Sequence, residues 1–143
     1  MKLNIVIDEK REEEIIIYAH KKTSLIKEIE KLVEENSIDF LGKKENELIK
    51  FEANDVVCFV VEDNKVFAHL EKEKLQIKTR LYKLEEVLPD NFIKINQSAI
   101  ANIKKIKKFD TSFSGTLKVI YNNGFSDYVS RRMLKSVKER LIK

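Results

Sequence analysis

Three short polar stretches carry the side chains best suited to recognising another macromolecule. They are residues 62–65, residues 96–98 with the lysine-rich run 104–108 that follows, and the pair Arg131-Arg132. Arginine can donate a forked pair of hydrogen bonds to guanine, asparagine or glutamine can pair with adenine, and lysine mostly neutralises phosphate. These residue types, carried on loops, indicate binding to a nucleic-acid groove.

The charge distribution supports a polyanionic partner. The chain of 143 residues has a net charge of +4, but residues 91–143 hold twelve Lys/Arg against three acids, whereas residues 1–44 and 45–90 are net acidic. A basic final third beside an acidic front favours one positively charged face. The alternative, a solvated basic helix at the C-terminus, stays open on charge alone.

Catalysis and metal binding have little support in the sequence. The three glycines are far apart, so no phosphate-binding loop is present, and His20, His69 and Cys58 are not clustered at ligand spacing. A Cys58–His69 nucleophile pair is disfavoured because Cys58 lies in the apolar run 56–61, where a buried thiol is expected. We therefore expect no enzyme activity, no metal and no cofactor.

Cellular context and the type of nucleic acid follow from composition. The single cysteine excludes an internal disulfide, and neither a membrane span nor a secretory signal is recognisable, so we expect a cytoplasmic protein. Single-stranded or RNA binding usually needs exposed aromatic side chains for stacking. Most phenylalanines fall at core-like positions, with Phe113 the one loop exception, which favours duplex DNA.

The first 44 residues predict a small strand–strand–helix unit. Leu3, Ile5 and Ile7 alternate with polar residues, residues 15–18 form a second apolar run, and a helical apolar stripe follows Thr23. Such a unit is too small to hold a core alone. We therefore expect residues 1–44 to be an extension that dimerises or docks a partner, and residues 45–143 to be a separate domain.

Residues 45–143 are predicted to be mainly β, with two short helices. Hairpin turns are expected at 62–65 and at 122–124, the latter on an Asn-Gly step. A basic strand is expected over 103–109. Ser130 is predicted to cap the last helix, which would place Arg131 and Arg132 in its first turn, against the preference of the helix dipole and therefore suited to an external anion.

The stretch from Phe92 to Ile106, Phe-Ile-Lys-Ile-Asn-Gln-Ser-Ala-Ile-Ala-Asn-Ile-Lys-Lys-Ile, resembles the signature of the LytTR DNA-binding domain family. Tyr121-Asn-Asn-Gly followed by Tyr128-Val-Ser-Arg-Arg is similar to its second hallmark. Three further motifs, which begin at Asp55, Asn64 and Leu81, occur in the family's order. The resemblance covers about residues 45–143.

The resemblance implies a bacterial transcription regulator without a receiver domain. Its expected fold is an elongated sandwich of three small antiparallel β-sheets with two short helices, which inserts loops into successive major grooves of promoter repeats and binds as a pair. The residues that it implies as DNA contacts, together with the lysines that follow them, are Asn64, Lys65, Asn96, Gln97, Lys104, Lys105, Lys107, Arg131 and Arg132. Some similar stand-alone members are paired with a small inhibitory membrane protein, which is a candidate partner for residues 1–44.

Two other functions remain open at this point. The basic final third could dock an acidic partner protein, and the chain could bind RNA instead of DNA. A salt-dependent mobility shift with duplex DNA and hairpin RNA distinguishes these functions.

Overall fold

The computed structural model describes residues 1–35, 38–111 and 115–141, so Phe113 lies outside the described residues. The chain divides into two compact units, Met1–Glu35 and Asn36–Lys143. Within the described residues, no helix has the length and apolar character needed to cross a membrane.

The first unit contains the predicted helix but not the predicted strands. Helix α1 spans Ser24–Glu35, and Ile26 N donates to Thr23 Oγ1 at 3.4 Å, the expected N-terminal cap. Residues 1–23 pair with no strand in the described structure, so the prediction of two strands there is wrong for the single chain. The physical reason is that alternation supplies an apolar face, but a strand forms only where a neighbouring strand satisfies its backbone groups.

The second unit is mainly β, as predicted. Its elements in chain order are β1 (Asp39–Lys44), β2 (Glu47–Glu52), β3 (Cys58–Glu62), β4 (Lys65–His69), β5 (Lys74–Ile77), α2 (Leu81–Val87), β6 (Phe92–Asn96), β7 (Ala99–Asn102), β8 (Ile106–Asp110), β9 (Leu117–Tyr121), β10 (Ser126–Val129) and α3 (Leu134–Leu141). Helix α2 ends just before Pro89, which cannot continue a helix.

The strands of the described ranges all pair antiparallel and form two sheets. The order is β2-β1-β5-β4-β3-β7-β6 in the seven-stranded sheet and β10-β9-β8 in the three-stranded sheet. Three sheets were expected, and the difference rests on one residue pair. Lys43 and Gln76 are the only register pair that joins the β1–β2 hairpin to β5 in the described residues.

Strand β3 is buried on both faces and therefore separates two hydrophobic cores. Phe59 belongs to the core on one face, with Leu84 of α2, while Cys58 and Val60 belong to the core on the other, with Val119 of the three-stranded sheet. Neighbouring residues of a strand point to opposite faces, so a continuous apolar run suits a strand that is covered on both sides. The predicted buried strand over residues 56–61 is confirmed in part: residues 56–60 are buried, but the strand begins at Cys58 and Val61 is half-buried.

The division between the units falls earlier than the predicted boundary at residue 44. Strand β1 pairs with both β2 and β5, so it belongs to the large sheet. Gly42 permits this packing, since a Cβ there would lie 2.4 Å from Leu75 Cβ.

The predicted basic strand over 103–109 is only partly present. Residues Ile103–Lys105 form a 3₁₀ turn, and strand β8 begins at Ile106. Asn102 stops β7, because its Oδ1 accepts from Lys104 N at 3.1 Å while its Nδ2 donates to Val56 O at 2.8 Å. Both predicted hairpin turns, at 62–65 and at 122–124, are confirmed.

Candidate nucleic-acid interface

The turn between β3 and β4 presents two exposed side chains. Asp63 and Asn64 have φ values of 50° and 63°, so both adopt the left-handed conformation of a tight two-residue hairpin turn. Asparagine and aspartate tolerate this conformation better than most residues. Asn64 and the following Lys65 are exposed at this turn and are free to approach a partner.

The corner between β6 and β7 divides its polar residues between two roles. Asn96 Oδ1 accepts from Ser98 N at 2.8 Å, and its Nδ2 donates to Tyr128 O at 2.8 Å and to Asp127 Oδ1 at 3.2 Å. Asn96 therefore fixes the corner and ties it to β10. Gln97 is exposed and stands at the top of the corner.

Arg131 and Arg132 lie in a turn that precedes α3, not in the helix. Ser130 O accepts from Met133 N at 3.0 Å, and the helix begins only at Leu134. The prediction that the two arginines occupy the first helical turn is therefore wrong. The argument from the helix dipole loses its basis, but both side chains are exposed and can still bind an anion.

Backbone hydrogen bonds bring the three stretches to one end of the large sheet. Val61 N donates to Ser98 O at 2.8 Å, which places the β6–β7 corner beside the end of β3. Ser130 N donates to Ile95 O at 2.8 Å, which places the arginine turn beside the same corner. We name six of the exposed side chains at this end the tip surface. Its members are Asp63, Asn64, Lys65, Gln97, Arg131 and Arg132.

The three lysines predicted from the basic run do not join the tip surface. Lys104 and Lys105 follow the far end of β7, where Ile103 N donates to Asn91 O at 2.7 Å just before β6 begins. The two ends of β6 are roughly 13 Å apart, given a rise of about 3.3 Å per residue. Lys107 is exposed on β8, an edge strand of the smaller sheet. Their proximity in sequence to the 96–98 corner predicts a single basic patch. In the structure, β7 and the 3₁₀ turn carry the chain away from that corner, so the lysines lie elsewhere.

An ion-pair cluster at the base of the first turn was not evident from the sequence. Lys74 Nζ lies 2.6 Å from Glu62 Oε2, and this hydrogen bond lowers the pKa of the Glu62 carboxyl. Glu62 therefore stays ionised while its charge is balanced, so it adds little negative charge to the tip surface. The two residues are separated by a hairpin turn and a strand, which a local pattern does not connect.

His69 completes this cluster as a buried group. Its Nε2 lies 3.4 Å from Glu62 Oε1 but is not aligned for a hydrogen bond. Burial lowers the pKa of His69, more strongly than the nearby carboxylate raises it. The imidazole also packs against the Phe125 ring, with centroids 4.4 Å apart. His69 is thus a neutral core residue that links the two sheets.

The described residues offer no arrangement of the kind that a metal or a nucleophile needs. They contain no group of three or more His, Cys, Asp or Glu side chains that could hold a metal ion. Cys58 pairs with His69 in the β3–β4 register, yet its side chain is fully buried, and burial raises the pKa of its thiol far above the usual value. Cys58 is therefore a protonated core residue, as its apolar run predicted.

The fold and the tip surface define a mainly β domain that presents three polar loops at one end of a sheet. The model of the LytTr DNA-binding domain family matches residues 46–142, and the chain belongs to this family. The resemblance read from the sequence is thereby confirmed.

Relatives and a solved structure agree with this assignment. Uncharacterized HTH-type transcriptional regulators of Staphylococcus aureus strains MSSA476 and MRSA252 are each 35% identical to this chain over 144 residues, which cover 99% of it and 98% of theirs. A solved LytTr DNA-binding domain from Bacillus cereus superposes with a TM-score of 0.68 at 23% identity, over 75% of this chain and 97% of that one. This structure supports the fold.

The designation HTH-type of the staphylococcal relatives does not match the architecture seen here. In the described part of this chain, five strands separate α2 from α3, and no two helices are joined by a short turn as in a helix-turn-helix motif. Their similarity does extend along nearly the whole chain, including the first unit.

Proposed function

We propose that this protein is a sequence-specific regulator that binds double-stranded promoter DNA through the tip surface, with pairs of chains on repeated sites. The observation that carries the proposal is the convergence of three exposed loops at one end of a rigid sheet. Sites built on the ends of strands are held more precisely than sites on long loops, which suits the reading of base edges. As a regulator of promoter DNA in a bacterial cell, it would act in the cytoplasm.

The side chains of the tip surface suit different parts of DNA. Arg132, with Arg131 beside it, can donate two hydrogen bonds to guanine or bind phosphate, and Gln97 can form a pair of hydrogen bonds with adenine. Asn64 and Lys65 extend the same surface from the neighbouring turn, where Lys65 would contact phosphate. In this arrangement the loops enter successive major grooves, the three cations neutralise the backbone, and the chemistry needs neither a cofactor nor catalysis.

Asn96 receives a different role from the one that the resemblance implied. Both its amide oxygen and its amide nitrogen are already engaged, with Ser98, Tyr128 and Asp127. A direct contact to a base would break these hydrogen bonds, whose loss in a half-buried setting is costly. We propose that Asn96 positions Gln97 and the arginine turn relative to each other instead of reading a base.

Of the three predicted lysines outside the tip surface, Lys107 is proposed to contact DNA without sequence preference, and Lys104 and Lys105 are proposed to make no contact. Lys107 can approach phosphate from the edge strand β8, whereas Lys104 and Lys105 lie at the end of the sheet that faces away from the tips. Phosphate contacts position a protein on DNA but carry no sequence information directly. We expect Lys107 to strengthen binding to any duplex.

A titration of the full chain against three nucleic acids tests the function. The probes are duplex DNA from upstream of the protein's own gene, a random duplex of equal length, and a hairpin RNA, each measured by fluorescence anisotropy from low to physiological salt. We expect the upstream duplex to bind at least about 10³-fold tighter than the random duplex, with a steep salt dependence. Equal affinity for all three, or preference for the RNA, would contradict the proposal. Failure to bind any of them would favour an acidic partner protein.

A further inference from the structure

The first unit exposes an unusual amount of apolar surface for its size. In residues 1–35, large apolar side chains that should be buried are exposed: Met1, Leu3, Ile5, Val6, Ile7, Ile15, Ile16, Ile17, Tyr18, Leu25, Leu32 and Val33. Single exposed apolar residues are ordinary, but contiguous groups mark an interaction surface. Here they occupy two short runs, residues 3–7 with Asn4 between them and residues 15–18, and one face of α1.

The two apolar runs of this unit are separated by a turn and make no strand pairing in the described residues. A turn follows the first run, since Asp8 Oδ1 accepts from Lys10 N at 3.0 Å and Asp8 O accepts from Arg11 N at 3.3 Å. The runs on either side of the turn have no strand partner in the described residues. Backbone groups without a strand partner, next to apolar side chains, are available for strand addition by another chain.

The exposed apolar area is about what a dimer needs. If a fully buried aliphatic side chain removes roughly 60–120 Å² from water, these side chains offer on the order of 800 Å² per chain. A standard protein interface buries about 800 Å² on each partner. A second copy that covers the same residues would thus complete an interface of ordinary size.

The charges of the unit favour a second copy over a highly charged partner. Residues 3–7 and 15–19 contain no charged side chain, so identical runs can pair without repulsion. The unit as a whole carries seven basic and nine acidic residues, which leaves it close to neutral. In a symmetric dimer the same surface of each chain contacts its copy, so it must be self-complementary. Strands without charged side chains meet this requirement because like charges do not face each other.

We propose that residues 1–35 form the homodimer interface of this protein, in which the apolar runs of two copies pair as strands and the two α1 helices cover them. The proposal goes beyond DNA binding and stands on the exposed apolar runs alone. If the protein also binds repeated DNA sites, this interface supplies the pairing.

Solution mass measurements on the full chain without DNA test the interface. Sedimentation equilibrium or light scattering over a range from about 0.1 to 50 μM should show the mass of two chains at the upper concentrations. Ile5→Asp and Ile16→Asp each place a carboxylate in one run, at side chains that are 74% and 61% exposed in the single chain, so the second unit should fold normally. Each substitution should raise the dimer dissociation constant by about tenfold or more.

His20→Asp is the matched control, because it adds the same charge next to the second run at an exposed polar residue. It should leave the dimer dissociation constant within about twofold of the wild-type value. Far-UV circular dichroism and thermal melting of all variants should confirm that the second unit is folded.

Three results would overturn the proposal. They are a wild-type chain that is monomeric across the whole range, as expected if the runs dock elsewhere on the same chain or on another protein; a dimer that neither Asp variant weakens; and a dimer that His20→Asp weakens equally. None of these results bears on the DNA contacts. Conversely, Arg132→Ala should impair DNA binding and leave the mass unchanged, so the two proposals fail separately.

Discussion

The two ends of the β6–β7 hairpin carry the same kinds of polar residue but use them differently. At the tip end, Asn96 stabilises the corner through hydrogen bonds to Ser98 and Tyr128, and Gln97 stays exposed. At the far end, Asn102 is buried, and its side chain bonds to Val56, Lys104 and Asn91. Residue type alone therefore does not reveal a contact residue. An exposed turn is hydrogen-bonded to the far end as well, since Asn122 N donates to Lys105 O at 2.9 Å. What distinguishes the tip end is that the loops beside it carry Lys65, Arg131 and Arg132, whereas the turn at the far end carries two asparagines and a glycine.

Among substitutions at the two ends of the hairpin, replacement of Arg132 should cause the largest loss of DNA affinity. Arg132→Ala should weaken binding to the specific duplex by about 1–3 kcal/mol, because a forked pair of hydrogen bonds to one base pair is lost. Fluorescence anisotropy with specific and random duplexes measures the effect. Lys104→Ala at the far end is the control and should preserve the ratio of the two affinities. Wild-type affinity and base preference in Arg132→Ala would remove this residue from the site.

Replacement of Gln97 should have an effect confined to one base pair. Gln97→Ala should weaken specific binding by about 1–2 kcal/mol and relax the preference at a single position of each repeat. Competition with a set of duplexes that differ at one position each shows the change. A uniform loss across all competitors would mean that Gln97 contacts the backbone only.

Replacement of Asn96 should weaken both folding and recognition. Asn96→Ala removes the hydrogen bonds to Ser98, Tyr128 and Asp127, so the free energy of unfolding should fall by about 1–3 kcal/mol. Specific affinity should fall at a temperature where the variant is still fully folded, since Gln97 and the arginine turn are no longer held together. Chemical denaturation and anisotropy give the two quantities. A folded variant with unchanged specific affinity would refute the positioning role.

Replacement of Lys107 should reduce DNA affinity less than replacement of the tip residues, and equally for all sequences. Lys107→Ala should weaken specific and random duplexes alike and reduce the slope of log affinity against log salt by about 1. Lys105→Ala should change neither quantity measurably, because Lys105 lies at the far end. A reversed order of the two effects would place the DNA along the other end of the sheet.

The smallest expected effect is on the pH dependence of folding stability, through His69 in the cluster with Glu62 and Lys74. Burial lowers the pKa of His69 below its usual value of 6.5, so the unfolded chain binds more protons in the interval between the two values. The stability due to neutral His69 is present above pH 6.5 and is lost as the pH falls through that interval. Urea unfolding should show that His69→Gln depends less on pH between 7 and 5 than the wild type, whereas the exposed His20→Gln should match the wild type. Equal pH dependence of all three proteins would contradict the buried neutral histidine.

The sequence predicted the elements whose signals are local. The turns at 62–65 and 122–124 depend on neighbouring residues, and the structure confirms them. The buried run depends on neighbouring residues as well, and the structure confirms its burial over residues 56–60. The resemblance supplied what the pattern could not, namely that three separated loops belong together. Whether these loops contact DNA stays a prediction.

Features that depend on distant pairing were missed or misplaced. The start of the second unit at β1 depends on its pairing with β5, and the position of Lys104 and Lys105 depends on the buried side chain of Asn102. The Glu62–Lys74 ion pair likewise joins residues from different strands. Residues 3–7 and 15–18 are predicted to be strands, but neither run has a strand partner in the described residues, so their apolar pattern indicates a capacity to pair and not a formed sheet.

Site-directed cleavage of DNA tests the central claim most directly. The one cysteine of the chain, Cys58, is fully buried, so an iron chelate can be attached selectively at Ser98→Cys on the tip end or at Lys104→Cys on the far end. On the upstream duplex, the chelate at residue 98 should cut both strands at the centre of each bound repeat, whereas the chelate at residue 104 should cut weakly and without a fixed position. Strong, localised cleavage from residue 104 with none from residue 98 would contradict the account.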